Sequence, residues 1–360
     1  MHRPLPLARP SRSASALLLV GALAIGLLSA CSSSDASTRA DAGTDDPTTT
    51  AAQVTVPATI PAGTTLHIGD QLDYLKTVLE VSGQDQGLDY KVDYASFVGG
   101  PPMLQAFKGG SVDAGFVAST PLIFAQASGQ DITAVAGWAP EKGLGGVISV
   151  DGSVKSWADL KGKKVAYQRG TSAEAAVLGG LDEAGLTLDD ITTVDVPITQ
   201  INATLAGGSA DAGVTTEPLI SLFLADHPKA TVGISPSAIT DRASFLIAAQ
   251  ATLDDAGKTA ALADYTGRLV KAFQYLNDHK AALATAVFVK QYGLTPDRAT
   301  ELVNGGNGDT TFFPLPGKVL EPQQQLADQF VAAGQIPNKI DVGPEFDGRF
   351  NDIVAEAQGS

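Results

Sequence analysis

Gly109-Gly110-Ser111-Val112-Asp113-Ala114-Gly115-Phe116-Val117 recurs ninety-eight residues later as Gly207-Gly208-Ser209-Ala210-Asp211-Ala212-Gly213-Val214-Thr215. Each copy follows a helical pattern and leads to a turn containing a proline, Pro121 or Pro218. The period is too long for a solenoid. The repeat therefore points to two similar α/β lobes that use the same helix, glycine turn and buried strand at equivalent places; the alternative is chance recurrence of a common helix-turn-strand junction. Two similar lobes imply a cleft between them, where small ligands bind.

Around the repeat, short apolar runs alternate with helical patterns. Thr65 to Gly69, Val112 to Ala118, Ile132 to Gly137, Gly146 to Val150, Lys164 to Gln168, Ile191 to Val196 and Ala212 to Thr215 read as strands. The alternation predicts an α/β protein with mostly parallel sheets. Ser156 with Asp159, Thr171 with Glu174, and Thr295 before Pro296 read as helix starts. From Leu253 onward the pattern is almost wholly helical, giving a helical C-terminal region.

The chain carries 39 acidic and 24 basic residues, a net charge of -15, which argues against nucleic acid as a partner. The single cysteine excludes an internal disulfide and a thiolate zinc cluster. Arg3, Arg9 and Arg12 precede an apolar run from Ala16 to Leu28, followed by Leu28-Ser29-Ala30-Cys31. That run would span roughly 20 Å as a helix, too little for a ~30 Å bilayer core, so residues 1–30 read as an export signal. Residues 31–63, rich in Ser, Thr, Asp, Ala and Pro, read as a flexible tether.

Enzyme signatures are sparse. His67, His227 and His279 are too scattered to form a ligand set and read as structural. There is no GxSxG elbow; Gly257-Lys258-Thr259 lacks the first glycine of a phosphate loop, and Gly143-Leu144-Gly145-Gly146 precedes a strand where a dinucleotide fingerprint needs a helix. No catalytic residue, metal or cofactor is expected.

Several stretches resemble the solute-binding lipoproteins of ABC importers in the nitrate, taurine and aliphatic-sulfonate group, which includes thiamine-pyrimidine-precursor binders. They are Phe97-Val98-Gly99-Gly100-Pro101, Gly110-Ser111-Val112-Asp113-Ala114-Gly115 through Thr120-Pro121-Leu122-Ile123-Phe124-Ala125-Gln126, Trp157-Ala158-Asp159-Leu160-Lys161-Gly162-Lys163-Lys164-Val165-Ala166, and Leu326-Ala327-Asp328-Gln329-Phe330 through Ile336-Pro337-Asn338-Lys339-Ile340-Asp341. Leu-Ser-Ala-Cys resembles the lipoprotein box, which implies lipidation of Cys31 and anchoring to the outer face of the cell membrane. The resemblance implies a class II periplasmic-binding fold, with residues 64–147 and 246–360 as lobe 1 and 148–245 as lobe 2. The crossings are expected near Gly146 to Val150 and Phe245 to Ala248. A monomer that closes on a small molecule and docks on an ABC permease with its ATPase is implied.

The ligand loops of that family fall here on Gln71, Asp73 and Tyr74, on Gly100, on Ser119 and Thr120, on Arg169, Gly170, Thr171 and Ser172, and on Thr216 and Glu217. Hydroxyls beside helix starts suit an anionic head such as a sulfonate. Thr171 reads equally as a plain N-cap, and Ser119 and Thr120 as turn residues. Ala118-Ser119-Thr120-Pro121 and Thr216-Glu217-Pro218 depart from the family pattern, and the aromatic wall is expected to be missing. Asp73, Glu174 and Glu217 would oppose an anion, with Arg169 the one cation in these loops. A zwitterionic, taurine-like sulfonate would satisfy both charges, its amine on Glu217 or Asp73. The alternatives are an uncharged heterocycle and, from a desulfinase that resembles these binders, an enzyme. Trp157 reads as packing; Trp138 reads equally as packing or a stacking surface.

Overall fold

The computed structural model describes residues 56–143, 145–235, 243–306 and 308–359, which belong to one compact unit. The expected signal, Cys31 and most of the tether lie outside the described residues. In chain order the elements are β1 Thr65–Gln71, α1 Tyr74–Ser82, β2 Lys91–Phe97, α2 Gly100–Lys108, β3 Ala114–Ala118, α3 Ser119–Ala127 and β4 Ile132–Pro140. The second lobe holds β5 Gly145–Ser149, β6 Lys164–Tyr167, α4 Ser172–Glu183, β7 Thr192–Asp195, α5 Ile201–Ala206, β8 Ala212–Thr216, α6 Leu219–Asp226 and β9 Thr231–Ile234. The chain then returns through β10 Ser244–Ala249 to α7 Gln250–Asp254, α8 Ala256–Asp278, α9 Lys280–Leu283, α10 Pro296–Asn304, β11 Thr310–Phe313, α11 Leu320–Ala332 and α12 Asn351–Gln358. A π-helical turn, Ala284–Gln291, extends α9.

The repeat folds alike in both lobes. Gly110 and Gly208 take φ +67° and +68°, left-handed conformations that close each preceding helix. Ser111 N–H then reaches Ala106 O, and Ser209 N–H reaches Thr204 O, each at 3.0 Å. The aspartate that follows clasps the neighbouring strand through both main chain and side chain. Asp113 accepts from His67 N–H at 2.8 Å and donates to His67 O at 2.7 Å; Asp211 does the same with Lys164 at 2.7 and 2.8 Å. Asp113 also receives Lys258 Nζ at 2.6 Å, which is the use made of the Gly-Lys-Thr stretch.

The strand order is β11-β4-β10-β3-β1-β2 in the first sheet and β7-β6-β8-β5-β9 in the second. Among the named strands of the described residues, β1 pairs in parallel with β2 and β3, and β6 with β7 and β8, while the other pairs are antiparallel, so the sheets are mixed, not mostly parallel. β5 and β10, the strands that enter each sheet from the other lobe, lie antiparallel beside β8 and β3. The stretches expected as crossings are thus buried members of the sheets. Residues 56–63 also differ from the tether expectation, because Val56 and Ile60 pack against the first core.

Helices α1, α8 and α12 cover one face of the first sheet, and α2 and α3 the other. The second lobe builds both its cores from residues between Val147 and Ile234. A further cluster joins Ile123 of α3, Leu178 of α4 and Phe330 of α11, so α11 packs on both lobes. All three expected helix starts are capped as read: Ser156 and Asp159 form a reciprocal box, and Thr171 and Thr295 accept from Ala173 and Arg298 N–H. His227 and His279 hydrogen-bond to Phe223 O and Tyr275 O four residues back and stack on those rings.

Candidate functional site

The carboxyl ends of the parallel strands in both lobes border one cavity of about 380 Å³. This is where an open α/β sheet leaves a crevice. Gln71 ends β1 and Leu72 follows it, Phe116 and Ala118 end β3, Gln168, Thr171 and Ser172 follow β6, and Thr215 and Thr216 end β8 with Glu217 next. The first residues of α2 and α4, Gly100 and Ser172, both face it, bringing two helix N-termini to the same space. Pro101 and Pro102 remove two first-turn N–H groups from α2, which leaves α4 the better donor end. Gly100 is required by contact: a Cβ there would stand 2.4 Å from Pro121 Cγ.

Among the predicted residues, Gln71, Tyr74, Gly100, Thr171, Ser172, Thr216 and Glu217 border the cavity. Thr171 keeps its capping role, accepting from Ala173 N–H at 3.3 Å while donating to Gln168 O at 2.7 Å. Glu217 does not offer its carboxylate to the cavity. Its Oε2 accepts from Ser221 N–H at 3.1 Å and Oγ at 2.6 Å, and its Oε1 meets Arg298 Nη2 at 3.2 Å. Arg298 Nε also donates to Ser221 Oγ at 2.8 Å. Because Arg298 belongs to α10 and Glu217 to the second lobe, this group ties the lobes together. Gln168 makes a second tie, its Nε2 donating to Val98 O at 3.4 Å.

Five predicted residues lie elsewhere. Asp73 is exposed at the start of α1 with φ +59°, and Leu72 takes its place in the lining. Arg169 turns outward to Glu174 at 3.3 Å and to Gln335, while Gly170 N–H caps the buried Glu174 carboxylate at 2.7 Å. The Arg169 and Glu174 charges therefore satisfy each other outside the cavity; among the described residues no Lys or Arg lines it. Ser119 and Thr120 are buried at the start of α3, and Ser119 borders a separate groove beside α11.

The backbone carbonyl of Ser119 receives Gln323 Nε2 at 3.1 Å, and the same nitrogen donates to Glu345 Oε2 at 3.0 Å. Neither Gln323 Oε1 nor Glu345 Oε1 has a partner. Burial pushes the Glu345 carboxyl up from 4.5 to about 8, so the folded protein holds a proton that the unfolded chain releases across that window. Its stabilising contribution is full below the unfolded value and is lost as pH rises to about 8. Glu345→Gln is therefore expected to stabilise the protein by about 2 kcal/mol near pH 8.5 and negligibly near pH 5. Calorimetry at both pH values checks this, and an equal effect at both would contradict it.

The expected lack of an aromatic wall is corrected by the first lobe. Phe116 lies 6.2 Å from Tyr74 and 6.0 Å from Trp138, whose ring continues to Phe312 at 5.4 Å. The π-helical turn adds Val287 and Phe288, and Tyr292 follows. Trp138 is thus both core and cavity wall, while Trp157 packs in the second lobe's core. Beneath the wall Asp70 is fully buried, and burial raises it to about 6 although it accepts three backbone N–H bonds, from Gln71, Leu75 and Lys76. Burial, helped by the charges of Asp70 and Asp73, pushes the Tyr292 phenol up to about 12.

On the second lobe the wall is hydroxylic. Thr215, 2% exposed, has an Oγ1 without a hydrogen-bond partner. Such a group costs roughly 1–3 kcal/mol and marks a place where a ligand acceptor or donor belongs.

Comparison with known proteins agrees with this architecture. Residues 84–228 match the NMT1/THI5-like family. The chain is 31% identical over 283 residues to an Escherichia coli K12 protein named for binding aliphatic sulfonates, covering 77% of this chain and 86% of that one. The alkanesulfonate-binding protein SsuA of Xanthomonas axonopodis pv. citri, solved bound to MOPS, superposes with a TM-score of 0.71 at 27% identity, over 81% of this chain and 99% of that one. The periplasmic aliphatic sulphonate-binding protein SsuA of Escherichia coli gives 0.68 at 28% identity, over 82% of this chain and 100% of that one.

Proposed function

The chain belongs to the NMT1/THI5-like family of solute-binding proteins, and from that premise we propose that it captures an organic sulfonate between its lobes and delivers it to an ABC permease and its ATPase. The observation that carries the reading is the meeting of two helix N-termini with the unpartnered Thr215 hydroxyl in one cavity. Aligned peptide dipoles and hydroxyl donors hold a sulfonate without a counter-ion. Closure removes water and strengthens each of these contacts. The relatives named for sulfonates support the same head group.

Work at the outer face of the cell membrane, with Cys31 as the lipid attachment, completes the proposal. The taurine-like version needs a carboxylate for the amine. Glu217 is engaged by Arg298 and Ser221, and Asp73 lies outside the lining, so that version loses its support. An uncharged heterocycle is the second reading, favoured by the aromatic wall.

Thr215→Val separates these readings. Removing an unpartnered buried hydroxyl is expected to stabilise the empty protein by about 1 kcal/mol and to weaken sulfonates roughly tenfold, leaving uncharged rings unaffected. Thermal unfolding and titration calorimetry with benzenesulfonate and a pyrimidine measure both. Unchanged sulfonate affinity would remove Thr215 from the head site, and sulfite release from a sulfinate would make the protein an enzyme.

A further inference from the structure

We propose that Asp70, which does not line the cavity, positions the β1–α1 loop for ligand, and that the loop holds its binding shape only while the Asp70 carboxylate is ionised, so that capture expels a proton. The proposal rests on the reading of this cavity as the ligand site and holds for either class of ligand.

The loop is built against local preference. Among the described residues, Leu72 and Asp73 are the non-glycine residues in the left-handed region, at φ +54° and +59°. Asp73 stands at the N-cap of α1 but makes no side-chain cap there. Asp70 does the capping from inside. Its Oδ1 accepts from Gln71 N–H at 2.7 Å and Leu75 N–H at 2.9 Å, and its Oδ2 from Lys76 N–H at 3.0 Å. One carboxylate thus spans from the end of β1 to the first turn of α1, across both left-handed residues. Gln71, Leu72 and Tyr74, all within that span, line the cavity. Gln71 Nε2 also donates to Phe116 O at 2.8 Å, Leu72 N–H to Phe97 O at 3.2 Å, and Gln291 Nε2 to Leu72 O. These bonds tether the loop to its neighbours, while the carboxylate sets its curvature.

Protonation turns one acceptor oxygen into a donor. The new O–H would face the N–H groups of the same loop, donor against donor, at a residue that is fully buried. Its neighbours do little to hold the charge. Tyr94 of β2, Tyr265 of α8, Tyr74 and Tyr292 are phenols that burial keeps neutral. Lys76 sends its ammonium to Glu80 at 3.9 Å, Asp73 adds like charge, and Asp113, beside the opposite end of β1, is held by Lys258 at 2.6 Å. The balance of burial against three N–H bonds puts the Asp70 carboxyl at about 6, so the loop is poised near neutrality. A ligand that needs the ionised loop shifts that balance and drives the proton off.

Stability and affinity then respond to acid in opposite directions. The folded protein holds this proton while the unfolded chain releases it, so the Asp70 contribution to stability is full below 3.8 and lost as pH rises through about 6. Weaker binding on acidification is therefore not unfolding by way of this group.

Two measurements on the full chain test the proposal. In the ligand-free protein, the amide resonances of Gln71, Leu75 and Lys76 should move together with a midpoint near 6. In calorimetric titration with benzenesulfonate and with uracil, neither of which titrates in this range, affinity should fall about tenfold from pH 7 to pH 5. At pH 6, buffers of different ionisation heat should show release of about half a proton per ligand bound. Asp70→Asn should bind about tenfold more weakly than the parent at pH 7, equally at pH 5, and without proton release, which separates Asp70 from His67, His227 and His279. Amides that stay still between pH 5 and 7, a flat affinity profile in the parent, or a pH slope that persists in Asp70→Asn overturns the proposal. Binding of uracil alone, with the slope present, refutes the sulfonate reading and leaves the role of Asp70 standing. The parent measurements need no variant, so they decide the matter even where Asp70→Asn fails to fold.

Discussion

Arg298→Glu is expected to weaken ligand binding about a hundredfold without touching the ligand. The side chain lies outside the cavity lining, and its guanidinium bridges Glu217 and Ser221 from the other lobe. Reversal sets two carboxylates against each other where Glu217 is 9% exposed, at a cost of roughly 3 kcal/mol after allowing for the partial exposure of position 298. Closure is the step opposed, so the loss should lie mainly in the dissociation rate. Arg298→Ala should give a smaller loss, about tenfold. Combining Arg298→Glu with Glu217→Arg should recover much of the affinity. Stopped-flow fluorescence and small-angle scattering measure rates and closure; Arg298→Glu binding within threefold of the parent would dismiss the latch.

Gly180→Ala should destabilise the protein by about 2–4 kcal/mol, against the ~1 kcal/mol that alanine normally gains in a helix. A Cβ at this position in α4 would stand 1.9 Å from Trp157 Cδ2 and 2.1 Å from Cε2, and Trp157 is only 6% exposed within the second lobe's core. The indole must leave its seat or α4 must shift. Gly179→Ala is the control, since its Cβ would meet only the tip of Gln329 at 3.2 Å. Thermal unfolding should show Gly180→Ala several degrees below the parent and Gly179→Ala at or above it. Equal behaviour would mean that Trp157 yields without loss.

The repeat made the two lobes readable because its meaning is local. Gly110 and Gly208 turn the chain, and Asp113 and Asp211 each bond to a strand whose position the same pattern predicts. The helix caps were readable for the same reason. β2 was not, since Lys91–Phe97 is mostly half-buried and its alternation is weak. The site was half legible. Residues at strand ends followed the fold, but the roles of Glu217 and Arg169 depended on Arg298, Glu174 and Gln335, of which only Glu174 is near in sequence. The aromatic wall was hidden because Phe116, Trp138 and Tyr292 each look like ordinary core residues until the sheet and the C-terminal helices assemble them.

The way the cores divide the chain also sets a timetable for folding. Both cores of the second lobe are complete once residues up to Ile234 are present. The first lobe draws its largest core from Leu66 and Ile68 of β1 and also from Phe350 and Val354, almost three hundred residues later. Chain order and folding order are therefore inverted: the segment made first is finished last. Until Phe350 and Val354 are present, the strands of the first lobe have no complete core to join, which leaves their apolar faces uncovered for longer than those of the second lobe.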